Sequence, residues 1–157
     1  MSQVSAILSL CLLFIGCSDP APSGSQQTTG RPAISGMSDL DLLQGEWRLV
    51  AAIVNDRKMD RSQDTPPTTL LIKGNVLSEY VQGDFSTESR FSLNTDSAPK
   101  QMELTYTDET EVAEVGIFKV EGDTLTLCRC LPRYGFPDDF TSTKEDSRTL
   151  QIFERMK

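Results

Sequence analysis

The sequence predicts an all-β domain built as an antiparallel meander, either closed as a barrel or stacked as a sandwich. Apolar and polar residues alternate with a period of two, turn residues such as Gly and Asn separate short segments, and no helical periodicity follows residue 44. Together these observations favour short strands joined by tight turns. The eight predicted strands cover residues 46–55, 68–74, 76–82, 86–94, 100–107, 112–121, 123–131 and 148–156.

The first 16 residues predict a signal peptide. Residues 6–15 carry no charge, have the length of a signal-peptide core, and are too few to span a bilayer as a helix. Residues 14–17 resemble the lipobox of bacterial lipoproteins, in which a small residue, here Gly16, precedes a cysteine that is acylated and becomes the mature N-terminus. This resemblance implies that Cys17 is a lipid anchor. The expected location is the cell envelope, facing the periplasm or the cell surface; the alternative is an ordinary secretory signal and a soluble secreted protein.

A flexible tether is predicted at residues 17–36, between the anchor and the domain. This segment is rich in Ser, Pro, Gly, Thr and Gln, and it has too few apolar side chains to offset the entropy of ordering. The folded domain is therefore predicted at residues 37–157. It opens with one short helical turn at residues 38–44, because Ser38 and Asp41 have the spacing of a capping box.

The alternation also selects the side chains that would line the interior of a barrel. In the first strand residues 47, 49, 51 and 53 share a face, and in the fifth strand residues 102, 104 and 106 do so. The interior of a small eight-stranded barrel is just wide enough to be filled by side chains or to hold one small ligand. The predicted ligand-lining residues are Leu49, Ala51, Ile53, Met102, Leu104, Tyr106, Phe118, Leu125 and Leu127.

The only tryptophan, Trp47, opens the first strand two residues after Gly45. This Gly-x-Trp pattern resembles the entry signature of lipocalin-type barrels. Together with residues 100–107, 115–125, 137–140 and 150–155, it resembles a small lipocalin-like domain family of unknown function in planctomycete bacteria. The resemblance implies an eight-stranded antiparallel lipocalin-like barrel, often exported, with no assigned enzymatic activity and no catalytic residues.

The lipocalin resemblance also implies a contact that closes the barrel. In such barrels an arginine near the end of the last strand commonly packs its guanidinium group over the first-strand tryptophan, as a cation–π contact. Arg155 and Trp47 hold these positions here, and Arg148 is the less favoured alternative because it lies at the start of the same strand. Gly45, Trp47 and Arg155 are therefore predicted to close the barrel, which is a structural role.

Cys128 and Cys130 lie two residues apart on a predicted strand, so their side chains point to the same side. Three interpretations remain open: two small, partly buried thiols, a strained disulfide, or a soft-metal site. Consecutive positions on one face of a strand are usually too far apart for a relaxed disulfide. A metal site would need further soft ligands, and the sequence has no histidine. No metal site is predicted.

Composition limits the function classes. The formal net charge of −8 repels polyanions, so nucleic acid is excluded as an expected partner. The sequence contains no histidine, which is the commonest general base and the commonest metal ligand in proteins. We therefore expect no enzymatic activity and no cofactor.

Two functions remain open from the sequence. In the first, the domain is a binding module of the cell envelope that holds a small hydrophobic ligand inside the barrel. In the second, the barrel is filled by its own side chains, and the protein is a structural or interaction lipoprotein. Its acidic surface and the aromatic loop at residues 133–140 would then recognise a protein partner that the sequence does not identify. The volume of the inward-pointing side chains distinguishes the two functions.

Overall fold

The structure is a computed structural model, and it describes residues 36–59, 67–145 and 147–157. The predicted signal peptide, Cys17 and the tether up to residue 35 lie outside the described residues. The elements are α1 (Asp39–Leu43), β1 (Gly45–Val54), β2 (Arg57–Lys58), β3 (Thr68–Lys73), β4 (Val76–Val81), β5 (Asp84–Asn94), β6 (Gln101–Tyr106), β7 (Glu114–Glu121), β8 (Thr124–Cys130) and β9 (Thr149–Arg155). A single 3-10 turn, Pro132–Tyr134, follows β8.

The strands form one closed antiparallel barrel. Neighbours follow the order β1-β3-β4-β5-β6-β7-β8-β9, and β1 also pairs with β9, which closes a ring of eight strands. The prediction of an eight-stranded antiparallel barrel is confirmed, and the sandwich alternative is not adopted. The two-residue strand β2 pairs only with the end of β1. It was not predicted, because its exposed residues Arg57 and Lys58 show no apolar alternation.

The helical turn α1 begins at the predicted capping box. The Ser38 hydroxyl accepts a hydrogen bond from the Asp41 backbone N–H at 3.1 Å, and the Asp41 carboxylate accepts one from the Ser38 backbone N–H at 3.1 Å. The two bonds satisfy N–H groups that a helix start otherwise leaves without partners. Leu43, the last residue of α1, is completely buried. The turn therefore anchors its end in the barrel.

One apolar cluster fills the part of the barrel next to α1. Alternate residues of the barrel strands point inward and contact one another there. Trp47, Phe118 and Phe153 are its largest fully buried side chains. We call this set the interior cluster; its members are Leu43, Trp47, Leu49, Ala52, Leu70, Ile72, Leu77, Phe91, Met102, Leu104, Phe118, Leu125, Leu127 and Phe153.

A β-bulge in β1 reverses which side chains face the interior. Leu49 pairs with Phe153, but Ala51 pairs with Ile152, so one extra residue of β1 is accommodated between Leu49 and Ala51. Because side chains alternate with a period of two, one inserted residue turns every later side chain to the opposite face. The prediction that Ala51 and Ile53 line the interior is therefore wrong. Ala52 joins the interior cluster instead.

The loop after β8 packs on the outside of the barrel. Ile117, Cys128 and Leu150 form a buried cluster on the outward faces of their strands, and Ile53 and Phe140 pack against it. Phe140 belongs to the aromatic loop at residues 133–140. At this residue the loop lies on its own barrel.

Candidate functional site

The barrel end next to α1 is closed by Trp47 and Arg155. The Arg155 guanidinium carbon lies 4.0 Å from the centroid of the Trp47 ring, and the two residues are paired across β1 and β9. Arg155 also donates to the backbone carbonyls of Leu42, at 2.7 Å, and Gln44, while the Trp47 indole N–H donates to the Leu43 carbonyl at 2.8 Å. The two side chains thus hold carbonyl groups at the end of α1. We call this the Trp47 end.

Gly45 makes the approach of Arg155 feasible. Its φ of +113° is one that other residues rarely adopt, and a Cβ atom there would lie 3.2 Å from a guanidinium nitrogen of Arg155. The structure therefore brings together Gly45, Trp47 and Arg155, the residues expected to close the barrel. A cation–π contact of this kind contributes about 0.5–2 kcal/mol.

Most of the predicted ligand-lining residues do face the interior. Leu49, Met102, Leu104, Phe118, Leu125 and Leu127 belong to the interior cluster. Tyr106 is only partly buried, and it lies at the opposite end of β6 from Met102. The sequence analysis did not name several other inward residues, because most of them stand next to another apolar residue and the alternation does not select their face: Leu70, Ile72, Leu77, Phe91 and Phe153.

A polar cluster occupies the interior at the end opposite Trp47. On β8 the inward side chains are Leu125, Leu127 and then Arg129. Arg129 forms an ion pair with Glu79 of β4. Strands β4 and β8 stand on opposite sides of the eight-stranded ring, with three strands between them in either direction. The pair therefore crosses the barrel interior.

Four side chains surround the Arg129 guanidinium group. It donates to Glu114 at 2.9 Å and to the side-chain oxygen of Gln151 at 2.7 Å, and it lies 3.8 Å from Glu79. Tyr106 completes the group, since its phenol interacts electrostatically with Arg129 and with both carboxylates. These five residues are called the Arg129 cluster. They come from five different strands, so the pattern of any single strand could not assemble them.

The Arg129 cluster is buried but still partly reached by solvent. The side chains of Arg129, Glu79 and Glu114 are 12%, 18% and 27% exposed. The Arg129 Nε atom is buried and has no hydrogen-bond acceptor among the described residues. A buried donor without an acceptor is costly and unusual in a folded protein. This end of the interior is therefore the one at which polar groups have unused hydrogen-bonding capacity.

Gly116 makes room for the Arg129 side chain. It pairs with Arg129 across β7 and β8. A Cβ atom at residue 116 would lie 3.1 Å from Cγ of Arg129 and 2.7 Å from the backbone oxygen of Cys128. The inward face of β7 thus leaves space for the arginine to lie across the interior.

Tyr106 is held in its neutral form at this end. Burial raises the pKa of its phenol above the usual value of 10.0, and the negative charge of Glu114 raises that pKa further, while Arg129 acts in the opposite direction. At neutral pH the hydroxyl is therefore available as a hydrogen-bond donor.

Cys128 and Cys130 are two buried thiols rather than a disulfide. Cys128 donates to the carbonyl of Thr141 at 3.3 Å, and Cys130 donates to the carbonyl of Gly135 at 3.1 Å. Both acceptors lie in the segment that follows β8. The cysteines thus help to hold that segment on the outside of the barrel, away from the interior.

A cleft of about 620 Å³ lies at the barrel end that holds the Arg129 cluster. It is lined by residues 54–59 and by Lys144. Val54 and Arg129 both pair with Thr149, which places the cleft and the cluster at the same level of the barrel. Met59 connects the two regions, because it lines the cleft and also packs against the interior cluster. The volume is within the range of about 300–1,000 Å³ that is usual for small-molecule sites.

Among the residues that the structure describes, no group of three or more Cys, Asp or Glu side chains is arranged to hold a metal ion. No helix within the described ranges is long and apolar enough to cross a membrane. Comparison with protein-family models gives no match, and comparison with curated proteins gives none either.

Proposed function

We propose that this chain is a non-enzymatic lipoprotein of the cell envelope, anchored through acylated Cys17, whose lipocalin-like barrel binds a small hydrophobic ligand. The ligand enters at the Arg129 cluster. One observation carries the proposal: the barrel interior is apolar from the Trp47 end up to Leu104 and Leu127, and it then becomes polar and partly exposed. An apolar interior with a few convergent polar groups at its accessible end is typical of ligand sites.

The anchor and the family remain part of this proposal. Their support is the sequence: the uncharged segment at residues 6–15, the cysteine that follows Gly16, and the Gly-x-Trp pattern at residues 45–47. The eight-stranded barrel is compatible with the lipocalin-like resemblance.

A second candidate function is a filled barrel that acts as a structural or interaction lipoprotein. The observation that favours it is the packing of the interior cluster, in which Trp47, Phe118, Met102 and their neighbours are almost completely buried and in mutual contact. The two functions predict different results for the protein isolated from its own envelope. A binding module carries a ligand, and a filled barrel does not.

Native mass spectrometry distinguishes the two functions. The protein is purified from the envelope of its own host under mild conditions, and its mass is compared with that of the same chain expressed in a foreign host and refolded. We expect a reproducible additional mass only in the first sample. An unmodified mass in both samples, after correction for the lipid on Cys17, would reject the binding function and favour the filled barrel.

Metabolic labelling with a clickable fatty acid tests the anchor separately. The label is expected on the wild-type chain and on Cys11→Ala, which removes a cysteine upstream of the expected cleavage site. It is expected to be absent from Cys17→Ala. Label that persists on Cys17→Ala would contradict the assignment of Cys17.

A further inference from the structure

The charge balance inside the barrel points to the class of ligand. The Arg129 cluster contains one guanidinium group and two carboxylates, Glu79 and Glu114, that pair with it. Counting the guanidinium group as one positive charge and each carboxylate as one negative charge, the three groups have a net formal charge of −1. This interior region therefore has an unbalanced negative charge.

Glu79 is the carboxylate with capacity for another partner. Glu114 accepts a hydrogen bond from Arg129 at 2.9 Å, but Glu79 is 3.8 Å from the nearest Arg129 nitrogen, beyond hydrogen-bonding distance. Within the described parts of the chain, its carboxylate receives no hydrogen bond from a side chain. A partly buried carboxylate in this condition favours a ligand that brings both positive charge and N–H donors.

The positive charges at the rim of the cleft do not cancel this preference. Arg57, Lys58 and Lys144 line the cleft, but their side chains are exposed to water. A charge pair in a partly buried site interacts about four times more strongly than the same pair in bulk water, and salt screens the exposed charges further. The carboxylates of the Arg129 cluster should therefore determine which head group is accepted.

From this geometry, and building on the binding function proposed above, we propose that the barrel takes an amphiphile with a protonated amine head group. The ammonium group donates a hydrogen bond to the Glu79 carboxylate inside the barrel. The oxygen of the neutral Tyr106 hydroxyl can accept a second hydrogen bond from it. The apolar part of the ligand lies against Leu104 and Leu127. Leu104 is the next inward side chain after Tyr106 on β6, and Leu127 is the next one after Arg129 on β8. Met59, which lies between the cleft and the interior cluster, is an unbranched side chain that can adapt to such a ligand.

A head-group series with a constant tail tests the proposal. Octylamine, octanol and octanoate differ in head-group charge, and each is titrated into the protein by isothermal calorimetry below its critical micelle concentration. We expect octylamine to bind at least about tenfold more tightly than the other two, a difference that calorimetry resolves readily. Equal or tighter binding of octanol or octanoate would overturn the amine proposal.

Two variants locate the charge that is responsible. Glu79→Gln removes the inner negative charge, and Glu103→Gln removes the same charge from an exposed residue on β6. We expect Glu79→Gln to lower the affinity for octylamine by about tenfold, and Glu103→Gln to leave it unchanged. Equal losses in both variants would show attraction by overall charge and would contradict the site. If Glu79→Gln does not fold, the head-group series on the wild-type chain decides.

The amine proposal and the binding function can fail separately. If no member of the series binds, the amine proposal is wrong; if the protein from its own envelope nevertheless carries a bound mass, the binding function stands. If no probe binds and that protein is also empty, both fail.

Discussion

The arginines at the two ends of the barrel have different partners. Arg155 places its face on Trp47 and donates to backbone carbonyls of Leu42 and Gln44. Arg129 instead has carboxylates and an amide around it, and its Nε atom has no acceptor within the described residues. The first arrangement satisfies the guanidinium group with the protein's own groups and stabilises the fold. In the second, the Glu79 carboxylate stays 3.8 Å from the nearest Arg129 nitrogen and can accept hydrogen bonds from a ligand.

Replacing Arg155 should destabilise the barrel. Arg155→Lys keeps the charge but cannot stack a planar group on Trp47 while donating to two carbonyls, so we expect a loss of about 1–3 kcal/mol in the free energy of unfolding. Urea denaturation followed by Trp47 fluorescence measures this loss. Arg48→Lys is the matched control on the outside of the same barrel, since the Arg48–Glu154 pair is exposed and should contribute little. Equal losses in the two variants would show that the contact with Trp47 has no special role.

The phenol of Tyr106 should ionise only at unusually high pH. Burial raises its pKa first, and Glu114, Glu109 and Glu79 add to the effect against the opposing charge of Arg129. A raised pKa in the folded state favours the neutral form, so this contribution to stability is present below the unfolded pKa of about 10 and is lost as pH rises through the folded value. The tyrosinate absorbance of wild type minus Tyr106→Phe gives the titration directly.

The titration of Tyr106 can be repeated in a variant that lacks one of the neighbouring carboxylates. Glu114→Gln should lower the pKa of Tyr106 without restoring it fully, because burial remains. A pKa of Tyr106 at or below 10.0 in the wild-type protein would contradict the position assigned to this side chain.

At the level of elements, the sequence predicts features that depend on local patterns. The strands follow from alternation, and α1 follows from the spacing of Ser38 and Asp41. The bulge in β1 depends on pairing with β9, about a hundred residues away, and it therefore reversed the predicted faces of Ala51 and Ile53. The Arg129 cluster was missed for the same reason, since its members lie on different strands.

The capping box should lose its effect in acid. The hydrogen bonds from Ser38, first from its side chain and then from its backbone, lower the pKa of Asp41 below 3.8. A lowered folded-state pKa means that the stabilisation is present above the unfolded pKa and is lost as pH falls through the folded value. We therefore expect the stability difference between wild type and Asp41→Asn to shrink below about pH 4.

Thermal unfolding at several pH values measures this difference. Asp84→Asn, at the exposed start of β5, is the control for a general effect of removing an acidic charge. A stability difference for Asp41→Asn that grows in acid would contradict the capping account.

At the scale of the whole molecule, the barrel is closed at one end and polar at the other. Pairing of β1 with β9 closes the ring and leaves no open edge between these strands, while α1 and Arg155 hold the Trp47 end together. The resemblance to lipocalin-type barrels implied the closed end, through the Gly-x-Trp at residues 45–47 and Arg155 in the last strand. The sequence did not predict the polar end, because its residues come from β4, β6, β7, β8 and β9 and meet only in the closed ring.

The most direct test of a ligand site at the Arg129 end is to map which N–H signals of the protein shift when a ligand is added. We expect octylamine added to the ¹⁵N-labelled domain to shift the backbone amides of the Arg129 cluster and the Arg129 Nε–H signal. The indole N–H of Trp47, the only one in the chain, should stay in place, because it donates to Leu43 at the other end. Shifts that centre on the Trp47 indole and α1, with the Arg129 cluster unchanged, would contradict a ligand site at the Arg129 end.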